Sequence, residues 1–131
     1  MSEENVEIVR RIYDAYLLAD FETALSLIDT EVEVDASLRP DGEVFHGHEG
    51  VAEALRTWTG AWEVFRVEVE EIRDAGDHVV GVERQSGRGK GSGLPLARQF
   101  FAVWTVRDRK VVRIAWFLSR SDALEAAGLS E

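Results

Sequence analysis

The chain has 131 residues, of which 45% are hydrophobic and 31% charged, and this composition fits one globular domain spanning residues 1–131. It has 15 basic and 25 acidic residues, and the net charge of −10 argues against nucleic acid or an anionic membrane surface as a partner, because both need clustered Lys and Arg. The absence of cysteine excludes disulfides and thiolate chemistry.

The N-terminal residues 1–5 are acidic and lack the apolar stretch of a secretory signal. No apolar run elsewhere approaches the length of a membrane-spanning helix. We therefore expect a cytoplasmic protein that has no membrane partner.

The first third of the sequence predicts two helices. Apolar residues recur at helical spacing from Glu3 to Ala19. Asp20 is suited to cap a second helix, because its short side chain accepts hydrogen bonds from backbone N–H groups. The apolar side of this second helix is expected to contain Leu25, Leu27 and Ile28.

A strand, a loop and a third helix are predicted next. Glu31–Asp35 alternates strictly between polar and apolar residues, as a short strand does. Ser37–Glu43 forms a turn-rich loop around Pro40-Asp41-Gly42. Val44–His46 is a candidate edge strand, and the third helix covers Gly47–Thr59.

The second half of the sequence changes to the period of a strand and predicts two hairpins. The turns are expected at Ala75-Gly76-Asp77 and at Arg107-Asp108-Arg109-Lys110. The glycine-rich segment 87–93 predicts a flexible turn or a wide bulge between long strands, since its spacing fits no phosphate-binding loop and no helix follows it. The predicted strands are Val64–Ile72, His78–Arg84, Arg98–Val106 and Lys110–Arg120, and a short helix follows over Ser121–Leu129.

This element order, α-α-β-(β)-α-β-β-β-β-α, predicts an α+β fold in which a curved, mostly antiparallel sheet closes over the N-terminal helices. Such an arrangement encloses a cavity, and cavities of this kind hold small molecules.

Several sequence segments, in this order, resemble the SnoaL-like branch of the nuclear-transport-factor-2-like (NTF2-like) superfamily. The segments that carry the resemblance are residues 5–13, 45–51, 74–77, 103–108 and 123–129. The resemblance implies a cone-shaped half-barrel with its pocket between sheet and helices, and a homodimer. It does not define an activity, because the superfamily includes cyclases, isomerases, dehydratases, epoxide hydrolases and binding proteins.

The sequence departs from the SnoaL-like cyclases at two places. Those cyclases typically carry an aromatic residue and then Asp at the positions that Phe117 and Ser119 resemble, and here the carboxylate is absent. Many relatives also have His or Gln where Ala102 stands. Since general acid–base catalysis needs a titratable group, these changes favour a binding function or an altered chemistry.

Asp35 and His46 are the candidate proton carriers. Asp35 ends the first strand, where desolvation at a pocket would raise its pKa, although the same position suits a solvated strand end. His46 is a candidate hydrogen-bonding group of the pocket. His46 and His48 also have the spacing of two metal ligands on a strand, but no third ligand is evident and we predict no metal site.

Arg84 and Arg113 are candidates for binding an anionic group of a ligand. For Arg84, a salt bridge to Glu68, Glu70 or Glu71 on the neighbouring strand is the alternative role. The chain is also rich in aromatic residues, which can serve the core, a dimer interface or the walls of a pocket. The predicted ligand-binding residues are Tyr16, Trp58, Trp62, Arg84, Trp104, Arg113, Phe117 and Ser119.

Two functions remain open on the sequence. The first is a protein that binds a small apolar or aromatic molecule without reaction. The second is a lyase, isomerase or cyclase that acts by general acid–base chemistry on a polyketide-like or steroid-like substrate. No nucleotide motif is present, so we predict no cofactor.

Overall fold

The computed structural model describes residues 3–37 and 43–129. The elements, in the order in which the sequence predicts them, are α1 (Glu3–Leu17), α2 (Phe21–Ser26), β1 (Ile28–Asp35), β2 (Val44–His46), α3 (Gly47–Thr59), β3 (Trp62–Ala75), β4 (His78–Gly89), β5 (Pro95–Arg107), β6 (Lys110–Phe117) and α4 (Arg120–Ala126). The predicted α+β class and element order are therefore confirmed.

The six strands form one curved, unclosed sheet in the order β2-β1-β6-β5-β4-β3. Only the β1–β6 pair is parallel among the described strands, and the other neighbours are antiparallel. The hairpins β3–β4 and β5–β6 turn at the two predicted places, with Gly76 and Asp108 at positive φ.

Apolar clusters lie on both faces of the sheet. We call the face against α1, α2 and α3 the inner face, and the opposite face, against α4, the outer face. On the inner face Val79, Ala102 and Ile114 pack with the buried side of α1, which includes Val9 and Ile12.

On the outer face a smaller cluster forms around α4. Leu124, which is 1% exposed, packs against Val80, Val82, Phe101 and Val103. Because buried apolar area is a main source of stability, α4 closes the outer face by covering these side chains.

The caps of the first two helices follow from the sequence. Ala19 has a φ of 60°, which ends α1. The Asp20 side chain accepts a hydrogen bond from the Thr23 backbone N–H at 3.2 Å, as the predicted N-cap of α2.

Several predicted boundaries are wrong. Helix α2 ends at Ser26, and Ile28 already belongs to β1 instead of to the helix. Strand β4 continues to Gly89 and β5 begins at Pro95, so the predicted turn lies between these residues and Gly87 is within a strand. At Gly87 a side chain would overlap the Val64 carbonyl oxygen, so the close approach of β3 and β4 requires glycine there.

At the C-terminal side, β6 ends at Phe117, and Arg120 begins α4 instead of ending a strand. The turn predicted at Pro40-Asp41-Gly42 lies outside the described residues.

Candidate functional site

A cavity of about 500 Å³ lies between the inner face of the sheet and helices α1–α3. Its wall is mainly apolar. Aliphatic side chains such as Ile12, Leu25, Val51, Leu55 and Val67 cover part of the wall. The aromatic part of the wall consists of Tyr13, Tyr16, Phe21, Trp58, Phe65, Phe100, Trp104 and Trp116.

The aromatic rings support each other by edge-to-face packing. Tyr13 and Trp104 have ring centroids 5.2 Å apart, and Trp58 and Phe100 have theirs 5.9 Å apart. Such contacts stabilise aromatic pairs beyond the area that they bury, which holds the wall of the cavity in one shape.

Among the described residues that line this cavity, one has a carboxyl group: Glu83 on β4, which is 5% exposed. Tyr13 Oη donates to Glu83 Oε2 at 2.6 Å, and Gln85 Nε2 donates to Glu83 Oε1 at 2.8 Å. The Trp116 indole N–H is a third donor to the same carboxyl group.

Two further indoles extend the network. Trp104 Nε1 donates to Tyr13 Oη at 3.2 Å, and Trp58 Nε1 donates to Gln85 Oε1 at 2.7 Å. We call these residues, which are Tyr13, Trp58, Glu83, Gln85, Trp104 and Trp116, the Glu83 cluster.

The local sequence of β4 explains the placement of the cluster. Alternation along the strand points Gly81, Glu83 and Gln85 to the inner face. Gly81 leaves room for Tyr13, because a side chain at this position would overlap the Tyr13 hydroxyl group. The missing Cβ of Gly81 therefore lets α1 bring Tyr13 within hydrogen-bond distance of Glu83.

Burial raises the pKa of Glu83 above its ordinary value of 4.5, against the opposing effect of the hydrogen bonds from Tyr13, Gln85 and Trp116. Burial and the Glu83 charge also raise the pKa of Tyr13 well above 10.0 and that of Tyr16 above 10.0. Both tyrosines are therefore neutral at physiological pH, and Glu83 is the carboxyl group of this cluster, with a pKa above its ordinary value.

The structure places three of the predicted ligand-binding residues, Tyr16, Trp58 and Trp104, in the cavity wall. Trp62 is not among the described residues of that wall. It packs against Trp58 with ring centroids 5.4 Å apart, and its buried Nε1 has no hydrogen-bond partner in the described part of the chain.

Asp35 and Arg113 lie outside the described lining of the cavity and pair with each other. Arg113 Nη2 donates to Asp35 Oδ2 at 3.0 Å, and Arg113 Nε donates to Glu33 Oε2 at 2.9 Å. Partial burial would raise the pKa of Asp35, but hydrogen bonds from Ser37 and the Arg113 charge outweigh it and hold this pKa below 3.8. The predicted rise of the Asp35 pKa is therefore wrong.

His46 is exposed at the N-cap of α3 and is not among the described residues of the cavity wall. His48 lies at 2.8 Å, through Nε2, from the Ile28 carbonyl oxygen. Among residues 3–37 and 43–129 no group of three or more His, Asp or Glu side chains is placed to hold a metal ion.

The remaining predicted site residues also lie apart from the cavity. Arg84 is exposed and pairs with Glu70 on β3 at 3.4 Å, the alternative role that the sequence offered for it. Phe117 packs with the cluster around α4 on the outer face. The Ser119 hydroxyl accepts a hydrogen bond from the Asp122 backbone N–H at 3.1 Å and caps α4.

Sequence reasoning did not select Tyr13, Glu83 and Gln85 as site residues. Strand alternation does separate Glu83 and Gln85 from Arg84, but it does not say which face of the sheet meets the cavity. The available signal was the pairing of two polar residues with Gly81 on one face of an otherwise apolar strand.

A curved open sheet that packs on three helices around an apolar cavity places the protein among the small α+β proteins with an internal pocket. The sequence model of the SnoaL-like domain matches residues 9–114, and the chain therefore belongs to the SnoaL-like domain family. This confirms the resemblance to the NTF2-like superfamily. No match was found among curated proteins.

Solved structures share the fold. TerC, co-crystallised with polyporic acid, is 23% identical with a TM-score of 0.75, over 96% of this chain and 99% of TerC. An NTF2-like protein of unknown function from Burkholderia pseudomallei is 20% identical with a TM-score of 0.76, over 95% of this chain and 97% of its own.

A third structure is a protein with a ketosteroid isomerase-like fold from Catenulispora acidiphila, in complex with trimethylamine. It is 22% identical with a TM-score of 0.70, over 94% of this chain and 93% of its own. Within the described residues of the present protein, no helix is long and apolar enough to cross a membrane.

Proposed function

We propose that this protein binds a small apolar or aromatic molecule in the cavity between the inner face and helices α1–α3. One observation carries this proposal: a cavity of about 500 Å³ has a largely aromatic and aliphatic wall, and most of its polar groups belong to the Glu83 cluster. Pockets for small molecules typically measure about 300–1,000 Å³ and combine an apolar wall with a few polar groups that orient the ligand.

Two of the similar structures support ligand binding in this fold. TerC was crystallised with polyporic acid and the Catenulispora acidiphila protein with trimethylamine. Both likenesses are to the fold as a whole, and the ligand class of the present protein depends on the side chains of its own cavity.

A matched pair of substitutions on β3 tests the proposal. Val67 lines the cavity, whereas Val64 is 57% exposed and does not belong to the described wall. Val67→Phe fills part of the cavity and is expected to weaken binding of a naphthalene-sized probe by about 10-fold or more, as a loss of roughly 1.4 kcal/mol implies. Val64→Phe adds the same side chain outside the cavity and should leave binding unchanged.

The measurement is isothermal titration calorimetry of both variants and the natural protein, with native mass spectrometry of the purified protein to find any co-purified molecule. Equal affinity for the two variants would contradict binding in this cavity.

Acid–base catalysis by a lyase, isomerase or cyclase is the second candidate function, and Glu83 is the observation that favours it. Asp35 and His46 lie outside the described cavity wall, but Glu83 lines the cavity and has a pKa raised by burial. A carboxyl group with a raised pKa exchanges protons closer to neutral pH than an ordinary glutamate. Glu83 would then take the role of proton carrier.

We also propose that the protein is a cytoplasmic homodimer without a nucleic-acid partner. The net charge of −10 supports the last point. Three exposed apolar side chains near one end of the sheet, Val64, Leu94 and Leu96, support self-association. The strand register places Val64 and Leu96 at the same end of the sheet, because Leu96 and Phe65, the chain neighbour of Val64, both pair with Gly87.

A further inference from the structure

The Glu83 cluster directs its donors inward, so what it offers to a ligand is mainly acceptor capacity. The Tyr13 hydroxyl, the Gln85 amide and the Trp116 indole all donate to the Glu83 carboxyl group. A carboxylate has about four acceptor positions, so this group keeps room for one more donor. Apart from the second N–H of Gln85, a ligand that enters the cavity meets acceptor oxygens at this cluster.

The Glu83 carboxyl group has no cationic partner within the described chain. The ion pairs among residues 3–37 and 43–129 join Arg10, Arg84, Arg109, Arg113 and Arg120 to other carboxylates. A buried carboxylate is costly unless a positive charge compensates it, and here the described residues provide hydrogen bonds but no such charge.

Aromatic side chains line the cavity together with the Glu83 carboxyl group. Tyr13 and Trp116 donate hydrogen bonds to the carboxyl group, and Trp104 donates to the Tyr13 hydroxyl group. Trp58 and Phe100 line the same cavity. Aromatic faces attract cations, and a desolvated cation gains more from them than a hydrated one.

We infer that the ligand of this cavity is a lipophilic amine, whose protonated nitrogen donates to Glu83 while its apolar part fills the rest of the cavity. This inference rests on the proposed function and names its ligand class. The ammonium group supplies both the missing donor and the missing positive charge. A neutral alcohol supplies only the donor, and a carboxylate places a second negative charge beside Glu83.

The affinity for an amine should depend on pH through Glu83. The described titratable groups that line the cavity around it are Tyr13 and Tyr16 from α1 and Arg56 from α3. Both tyrosines have a pKa raised above 10.0 and stay neutral, and an arginine stays charged. Since the anionic form of Glu83 binds the cation, affinity should fall as pH decreases through the raised Glu83 pKa, and binding below that pKa should release a proton.

The test compares three probes that share one aromatic ring system: 2-naphthylmethylamine, 2-naphthylmethanol and 2-naphthoate. Calorimetry at neutral pH should show the amine to bind about 10- to 100-fold more tightly than the alcohol, as for a desolvated charge pair, and the carboxylate to bind least.

Three variants distinguish the effect of Glu83 on amine binding from the effect of the overall negative charge of the protein. Glu83→Gln should weaken amine binding by about 10- to 100-fold and leave alcohol binding nearly unchanged. Glu68→Gln removes one exposed carboxyl group from β3 and should change neither. Arg56→Gln removes an exposed positive charge from the cavity wall and should strengthen amine binding by about 2- to 3-fold.

The outcomes distinguish this inference from the proposed function. If the three probes bind equally well and Val67→Phe weakens them all, the cavity binds small molecules but the preference for an amine is wrong. If no probe binds, both proposals fail. A melting curve shows whether Glu83→Gln unfolds. If it does, Arg56→Gln is the deciding variant, and an amine affinity no higher than that of the natural protein overturns the inference.

Discussion

Glu83 is the residue on which the chemistry of the cavity depends. It is 5% exposed, its hydrogen bonds come from neutral donors, and burial raises its pKa. Keeping this group in an apolar wall destabilises the fold whenever it is ionised, because its hydration is lost. An isosteric amide at the same position would avoid that penalty, which makes the residue a good subject for a stability experiment.

We predict that the stability difference between the natural protein and Glu83→Gln depends on pH. The folded protein holds the Glu83 proton more tightly than the unfolded chain, whose pKa is near 4.5. The contribution of Glu83 to stability is therefore greatest below pH 4.5 and falls as pH rises from there through the folded pKa. Each pKa unit of the rise corresponds to about 1.4 kcal/mol.

Urea unfolding at a series of pH values measures this difference, and Glu68→Gln serves as the control for removal of an exposed carboxyl group. The free energies of unfolding of the natural protein and Glu83→Gln should differ by an amount that changes between about pH 4 and about pH 8, where carboxyl groups and histidines titrate. A constant difference over this range would contradict the raised pKa of Glu83.

Residue periodicity could separate the two faces of β4 but could not say which one meets the cavity. Val80 and Val82 are apolar because α4 covers them on the outer face, so they resemble core residues as much as Val79 does. On the inner face, Glu83 is a weaker sequence signal than these valines. Arg84 shares a face with Val80 and Val82, which is why the sequence predicts it as a ligand-binding residue, but it lies exposed beside Glu70.

At the scale of elements, Ser119 fixes the start of α4. Its hydroxyl group accepts from the Asp122 N–H, and the helix that follows places Leu124 and Ala123 on the outer face. The resemblance to SnoaL-like cyclases implies Asp at the position of Ser119, and Asp is also a good N-cap. Either residue would cap the helix, so a serine here keeps the cap without supplying a carboxyl group.

We predict that Ser119→Ala destabilises the protein by about 1 kcal/mol, the usual cost of an N-cap. Ser119→Asp should keep the stability of the natural protein, because the carboxylate accepts the same backbone hydrogen bond. Chemical denaturation of the three proteins measures the effect. Equal unfolding midpoints for Ser119→Ala and Ser119→Asp would show that the cap does not stabilise α4.

The order of the elements followed from the sequence because helices and strands have different apolar periods. Boundaries were less predictable where one pattern suits two structures. Leu27 and Ile28 are apolar in either a helix or a strand, and tertiary contacts with β6 decide for β1 at Ile28. Gly87 resembled a turn residue, but its role is to allow the close approach of β3 and β4.

At the scale of the whole molecule, helices pack on both faces of the sheet, yet apolar side chains remain exposed near one end of it. Val64, Leu94 and Leu96 are exposed by 57%, 68% and 48%. Exposed apolar patches commonly mark contacts with another protein. A second copy of the chain is the partner that we propose for them.

We predict that sedimentation velocity gives the mass of two chains at micromolar concentration and that dilution shifts the protein toward one chain. Raised salt concentration should strengthen the association or leave it unchanged, because apolar contacts are not screened and the net charge of −10 repels a second copy. A single species with the mass of one chain throughout the dilution series would refute the dimer.

The fold as a whole was predictable because element order and sequence resemblance agreed. The cavity was expected for the same reason, since a curved sheet over helices leaves space between them. What the sequence could not provide was the contact between Tyr13 and Glu83, which are 70 positions apart and meet only after α1 packs on the sheet.

The indole N–H groups of Trp58, Trp104 and Trp116 all point into one hydrogen-bond network with the Glu83 carboxyl group at its centre. Indole emission responds to nearby charge and to hydrogen bonding at its nitrogen. The protein therefore contains its own spectroscopic reporter. Loss of the Glu83 proton, or arrival of a molecule beside it, changes the surroundings of three of the four tryptophans at once and can be followed by their light emission without a label.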